Sequence, residues 1–413
     1  MLEAALALPS GLRVSNRIVK AATTEALGSA EGEMTPRLRT LYGQWADSGA
    51  GLLITGNVGI SRAHVVRPGD LVVTDETQTL ALAEWAAQIK QYGTGAIMQI
   101  CHAGRQTQRS RNPHPLAPSA VAAVKRFRAF GTPRAATAAE IEAMREGFVR
   151  ASLIAERAGF DGCQVHSAHG YLLSQFLAPR SNLRTDDYGG SLENRARLLL
   201  EIVGEIKRRR RSPRFAVTVK LNSSDFQRGG LTPEDSLRVV ELLANEGIDL
   251  LEISGGTYEQ PASFGDGVPT STLEREAYFL SFSIEARQRI HTPILVTGGF
   301  RTRRGMERAL EEGAVDLIGL ARPFCVEPHL AKRLLQTIDA VIEPHWKWNG
   351  PRMFQVLGEM AWYSEQLQRM GRGRSPNRAL STGWAIVRHL ARDTVRGFRE
   401  RPAAEAKPLR LAA

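Results

Sequence analysis

The residues with the clearest chemical potential sit together in CQVHSAHGYLLSQFL: His166, His169 and Tyr171. Two imidazoles and a phenol at the end of one strand can hydrogen-bond one oxygen and deliver one proton. That suits a substrate whose carbonyl is polarised while a neighbouring carbon is protonated. Two other readings compete: a pair of core histidines, or a metal held by HxxH. The metal reading lacks a third ligand at a recognisable spacing, and no helical HExxH occurs, so no metal is assigned.

A second group closes the chain's alternating pattern. Val296-Thr297-Gly298-Gly299-Phe300 is followed by Leu320-Ala321-Arg322-Pro323. Glycines let backbone N–H groups converge on a phosphate, and Arg322 adds a fork of donors. A third group is a set of polar residues at other strand ends: Thr23 and Thr24, Asn57, Gln99 and Lys220. Each alone says little. Together they describe a pocket of amide donors and acceptors with one cation. A planar heterocycle rich in ring nitrogens and carbonyls and carrying a phosphate would use all of them. Flavin mononucleotide fits, with Lys220 placed to stabilise the charge of a reduced ring near N1.

Such residues must be positioned by elements, and these are legible. Strand-like apolar runs alternate with amphipathic stretches from residue 17 to about 338. The expected strands are Arg17–Ala22, Gly51–Thr55, Gly95–Ile100, Gly162–His166, Phe215–Leu221, Leu250–Ser254, Pro293–Thr297 and Val315–Leu320. The expected helices are Pro36–Asp47, Thr77–Gln91, Ala138–Ala158, Leu192–Arg210, Pro233–Asn245, Arg275–Ile290, Arg303–Glu311 and one near Pro328–Thr337. Eight β–α alternations with near-continuous apolar strands predict a TIM (β/α)8 barrel, an α/β fold. The rival doubly wound sheet needs GxGxxG after its first strand, where this chain has KAATTEALGSA. Several helix-to-strand joins read AGFDG, EGID or EGAVD, with a glycine able to end a helix in the left-handed conformation. LALPSGLRVSN predicts an N-terminal hairpin plugging the barrel floor. The stretch from Cys101 to about Thr137 predicts a long loop on the face that carries the chemistry. After Pro344 the pattern changes, so residues 1–344 are read as the barrel and 345–413 as an appended basic helical tail.

Composition excludes other classes. The 413 residues are 43% hydrophobic and 23% charged, an ordinary globular balance. No run approaches the roughly 18 apolar residues of a membrane span, and the N-terminus has no basic leader region. Cys101, Cys163 and Cys325 are far apart, which argues against a disulfide framework and leaves a cytoplasmic location as the default. Net charge is +11, and residues 346–413 hold 13 Lys/Arg against 5 Asp/Glu. No nucleic-acid signature accompanies that tail, so neither nucleic acid nor membrane is expected as a partner. An oligomer-facing or solvated helix is the simpler reading, which leaves room for a homo-oligomer.

NRIVKAATTEA, GLLITGN, MQICHAGRQ, VKLNSSDF, LLEISGG, VTGGF, DLIGLARP and the long run from GFDGCQVH to SLENRARLLLEI resemble the old yellow enzyme family of FMN-dependent NAD(P)H oxidoreductases. The similarity runs from about residue 6 to 340, and the HGYLLSQFLAPRSN…DDYGGSLENR stretch is its most specific part. The resemblance implies that Ala22, Thr23 and Thr24 line the flavin, with the Thr24 hydroxyl near ring O4. It implies that Asn57, Gln99 and Lys220 contact the ring, and that Gly298, Gly299, Ala321 and Arg322 hold the phosphate. His166 and His169 would bind a substrate carbonyl and Tyr171 would donate a proton. NADH or NADPH would reduce FMN, and hydride would pass from flavin N5 to an enone-type alkene.

The chain departs from the family pattern in places. The usual Pro-Met after the first strand is Ala22-Thr23, and a cysteine used by some bacterial members is Thr24. The usual fifth-strand arginine is Lys220, a point charge in place of a fork. A tyrosine used by some members is Ala26. Family branches with an iron–sulfur cluster need a cysteine cluster after the barrel, where the last hundred residues contain only Cys325. Trp362 and Tyr363 in the tail read as helix packing, with capping of the site or a subunit contact as alternatives. The competing function is a redox-inactive phosphate-binding lyase or aldolase using Lys220 as a Schiff-base residue.

Overall fold

A computed structural model describes residues 1–123, 129–257, 279–343, 346, 350 and 354–399. Eight parallel strands close into one barrel: β1 (Ile18–Lys20), β2 (Leu52–Ile54), β3 (Gly95–Cys101), β4 (Gly162–Ser167), β5 (Ala216–Asn222), β6 (Leu250–Ser254), β7 (Ile294–Thr297) and β8 (Leu317–Leu320). Neighbours in sequence pair in order. β8 returns to β1 through Ile318↔Ile18, and β3 meets β4 through Gly162↔Ile97. The eight expected strands all form; β1, β2, β7 and β8 are one to three residues shorter than the expected runs, and the other four match their lengths within one residue. The differences lie at the strand ends, where pairing assignments shift by a residue or two.

The barrel interior is filled by Val19, Leu52, Ile54, Ile97, Leu250, Leu295 and Leu317. Leu8 and Val14 join them from the N-terminal hairpin, whose strands pair Leu6↔Val14 and Ala7↔Arg13 antiparallel. The hairpin is therefore the floor plug expected from its Pro-Ser-Gly turn. The outward faces of the strands pack on the helix ring: α1 (Pro36–Ala46), α2 (Thr79–Lys90), α3 (Ala138–Arg157), α4 (Leu172–Leu177), α5 (Leu192–Arg209), α6 (Pro233–Asn245), α7 (Leu280–Arg287), α8 (Arg303–Glu311) and α9 (Leu330–Gln336). α4 is a short extra turn after β4 that the periodicity did not separate from the loop. The expected start of α7 at Arg275 lies outside the described residues, as does the boundary at 344/345.

The Gly–Asp joins have a definite job. Gly159, Gly247 and Gly313 all adopt positive φ, at 83°, 69° and 67°, and turn the chain out of its helix. Each following aspartate then accepts a backbone N–H from a neighbouring strand: Asp161 from Ala96 at 2.9 Å, Asp249 from Val217 at 2.8 Å, Asp316 from Ile294 at 2.8 Å. These carboxylates satisfy strand-start N–H groups that the ladder leaves unpaired.

The long loop after β3 is not structureless. Leu116–Ala117 and Arg134–Ala135 form a small parallel pair in it, while in the connection after β2 Val58–Gly59 with Leu71–Val72 extends the sheet beside β3. Two further helices, α10 (Gln355–Met370) and α11 (Thr382–Arg399), fold back over the C-terminal face. α10 is held to α1 by Gln44, whose amide donates to the Met370 carbonyl at 3.1 Å. α11 reaches the loops after β1 and β2: Arg67 contacts Asp393 at 3.1 Å, and Arg396 donates to the Ala26 carbonyl at 2.6 Å. Among the described residues no helix is long and apolar enough to cross a membrane.

Asp249→Ala strands the buried Val217 N–H, so the urea midpoint should fall by the equivalent of about 1–3 kcal/mol. An unchanged midpoint would remove these aspartates from the account of barrel closure.

Candidate active site

β4 delivers the histidine–tyrosine group. The chain leaves the strand at Ser167 and turns through His169 and Gly170 with φ of 60° and 75°. That turn seats the His169 Nε2 2.8 Å from the Ser254 hydroxyl at the end of β6. Tyr171 then caps α4. The ring of His166 stands edge-on to both neighbours, 5.0 Å from Tyr171 and 5.1 Å from His169 between centroids. The expected triad is therefore one cluster at one end of the barrel. His169 and Tyr171 line its cavity, while His166 packs behind them.

Protonation follows from the contacts. The Ala168 N–H donates to His166 Nδ1 at 3.2 Å, so the neutral ring carries its proton on Nε2. Burial, with the neighbouring His169 and Lys220 charges, holds His166 well below the usual imidazole range. Burial and Lys220 bring His169 down to about 3. Both rings are neutral near pH 7 and act as hydrogen-bonding groups.

The cavity, about 330 Å³, runs from this cluster to the ends of β7 and β8. At its far end lie Gly298, Gly299, Ala321 and Arg322, the set expected to hold a phosphate. Gly298 and Gly299 have φ of 126° and 90°, a backbone open only to glycine, which leaves the turn free of side chains beside Arg301 and Arg322. Ala22, Lys220 and Thr297 also line the cavity.

Lys220 is not the bare cation the sequence suggested. Its Nζ lies 2.8 Å from Glu252 Oε1, and the two side chains are 4% and 0% exposed. Glu252 also accepts from Thr297 Oγ1 at 2.7 Å and from Gln164 Nε2 at 2.8 Å. Gln164 in turn accepts from Gln99 at 2.7 Å. One continuous network thus joins Gln99 on β3 to Thr297 on β7. The Lys220 amine is tied into this ion pair with a fully buried carboxylate.

Thr23, Thr24, Asn57 and Gln99 are not among the residues lining this cavity; Thr23 and Thr24 are half-buried, and Asn57 and Gln99 are buried. Asn57 Nδ2 donates to Thr24 Oγ1 at 2.9 Å, while Asn57 Oδ1 is buried without a partner. Glu25 holds these two loops together: it accepts from the Gly56 N–H at 3.0 Å and from the Tyr42 hydroxyl. A Cβ on Gly56 would stand 2.0 Å from Glu25 Oε2, so only glycine allows this grip. Sequence reasoning missed Glu25, Glu252 and Gln164. The last two show as polar residues inside otherwise apolar strand runs, a signal that was available. It also missed the tail's part in the site. Glu359, Tyr363 and Trp346 line the phosphate end, and Glu359 contacts Arg322 directly. Trp362 is packing, as expected, donating to the Leu380 carbonyl at 2.9 Å, whereas its neighbour Tyr363 caps the cavity.

The cavity lining fits FMN: a side-chain-free glycine turn with Arg301 and Arg322 for the phosphate, and the polar Lys220–Glu252–Thr297 network where ring nitrogens and carbonyls would lie. Comparison with known proteins agrees. Residues 10–340 match the model of the NADH:flavin oxidoreductase / NADH oxidase family. The NADH-dependent flavin oxidoreductase iliE of Hypocrea jecorina is 37% identical over 360 residues, covering 80% of this chain and 88% of that protein. Among solved structures, 2-naphthoyl-CoA reductase bound to 2-naphthoyl-CoA superposes with a TM-score of 0.75 at 26% identity, covering 81% of this chain and 52% of that one. This chain therefore spans about half of that enzyme's length. Morphinone reductase superposes with a TM-score of 0.68 at 26% identity, covering 83% of this chain and 91% of the other. The chain belongs to the NADH:flavin oxidoreductase / NADH oxidase family, and is an old-yellow-enzyme-type oxidoreductase that uses FMN and a nicotinamide donor.

Proposed function

We propose that this enzyme reduces activated alkenes conjugated to a carbonyl, with Tyr171 as the proton donor. The observation that carries the reading is the cluster of His166, His169 and Tyr171 at one end of a cavity whose other end suits a flavin phosphate. FMN, when bound, would supply the hydride-transfer chemistry between the nicotinamide donor and the alkene. The protein's part is to hold the carbonyl oxygen and to protonate the α-carbon. Neutral His169, which lines the cavity, serves the first task as a hydrogen-bond donor, with His166 packed against it as a second donor if the substrate reaches past the wall, polarising the carbonyl and so drawing electron density from the β-carbon. Ser254 fixes the His169 ring, and the Ala168 N–H fixes the His166 tautomer. Tyr171 stands beside both rings, placed to give its phenolic proton to the carbon next to the carbonyl.

The test is a comparison of half-reactions with cyclohexenone as substrate. Tyr171→Phe should leave flavin reduction by NADH or NADPH within about two-fold of wild type, and slow reoxidation by cyclohexenone by roughly 10²- to 10⁴-fold. Equal rates in both half-reactions would remove Tyr171 from the proton step.

The depressed histidines give a second expectation. A ring whose folded pKa is pushed far below its ordinary value stays neutral as pH falls through that ordinary value. The rate constant for cyclohexenone reduction should therefore be flat from about pH 5 to pH 8. A limb centred near pH 6.5 would show that one imidazole titrates in the working enzyme.

A further inference from the structure

The tail's place at the phosphate end has a consequence for cofactor retention. Glu359 stands on α10 and is 6% exposed. Its carboxylate contacts the Arg322 guanidinium at the cavity wall. The position of Glu359 is set by the tail's own packing. Trp362 donates to the Leu380 carbonyl, Gln366 donates to the Asn377 carbonyl at 2.8 Å, and α10 rests on α1 through Gln44. Ala361, Trp362 and Ala385 close a small apolar cluster with Val326, just past the turn that carries Arg322. These contacts fix the part of α10 that carries the Glu359 carboxylate beside Arg322.

A guanidinium has five donors and can serve a carboxylate and a phosphate together. The phosphate then meets a neutralised pair in place of a lone cation. It brings about −1.5 to −2 charges of its own beside a carboxylate largely removed from water. Like charges so placed repel, and burial strengthens the repulsion. We propose that Glu359 is a charge brake on the phosphate end of the flavin site: it offsets Arg322 and leaves FMN held more loosely, and so more exchangeable, than the glycine–arginine cradle alone would hold it. The inference rests on the reading of that end as the FMN phosphate site. It gives the C-terminal helices a function in cofactor exchange.

Glu359→Gln removes the charge and keeps a hydrogen-bond acceptor for Arg322. The full-length protein is loaded with FMN or with riboflavin, which has no phosphate. It is then diluted, and flavin release is followed by the recovery of flavin fluorescence. The variant should release FMN roughly ten-fold more slowly than wild type, while riboflavin release stays within about two-fold. Glu359→Asp, which keeps the charge, should behave as wild type. Glu359→Met, of similar volume and uncharged, gives the same comparison if the glutamine variant does not fold. Unchanged FMN release in the uncharged variants would overturn the brake. Faster FMN release would also overturn it, showing that Glu359 instead orients Arg322 for the phosphate. Slower release of both flavins alike would overturn it as well, because the effect would not be addressed to the phosphate. A wild-type protein that loads neither flavin would sink the flavin reading itself, a result distinct from loading with unchanged release.

Discussion

A single buried carboxylate organises the centre of this barrel. Glu252 has no exposed surface, and a carboxylate taken that far from water costs several kcal/mol unless it is fully paired. Its partners come from three other strands: Lys220 on β5, Gln164 on β4 and Thr297 on β7. Those strands must therefore keep their register at the height of Glu252, which also fixes the heights at which they end. His166, Ser254 and the glycine turn after Thr297 inherit their positions from this arrangement. The alternation of side chains along each strand does the rest, sending Val165, Val219, Leu251 and Val296 to the apolar layer under the helices.

The same logic operates at the edges of the site. Glu25 grips the Gly56 N–H and brings Thr24 to Asn57, so two loops act as one wall. The tail helices do for the β8 end what Glu25 does for the β1 end. α10 carries Glu359 and Tyr363 to the glycine–arginine turn, and α11 anchors the pair back onto the loops that follow β1 and β2. The site is thus enclosed by three separate stretches of chain, each held by a polar contact and not by the barrel itself. The tail thus shapes the phosphate end of the cavity, at a distance from the cluster of His169 and Tyr171.

Much of this was legible in the residues. The strands read clearly because a parallel sheet covered on both faces needs near-continuous apolar runs, and the joins read clearly because Gly–Asp has one structural use there. The positions of His166, His169 and Tyr171 followed from their place at and just past the end of β4, and those of Gly298, Gly299 and Arg322 from theirs past β7 and β8. What stayed hidden was pairing across the barrel. Nothing local to LLEIS says that Glu252 will meet Lys220, so the lysine looked like an uncompensated cation. Nothing local to the tail says that Glu359 will meet Arg322, since that contact depends on how a helix beyond the βα repeat folds back. Periodicity reports which face of an element is buried, and it is silent on which distant side chain that face will find.

The central claim is that a flavin in this cavity passes electrons from a nicotinamide to a conjugated alkene. The direct measurement is the visible absorption spectrum of the FMN-loaded protein under anaerobic conditions. The flavin band should bleach on addition of NADH or NADPH and return in full on addition of cyclohexenone, with one equivalent of cyclohexanone formed. A band that bleaches but is restored by oxygen alone would leave a flavin reductase without the alkene chemistry, and a protein that cannot be loaded with FMN would contradict the account at its base.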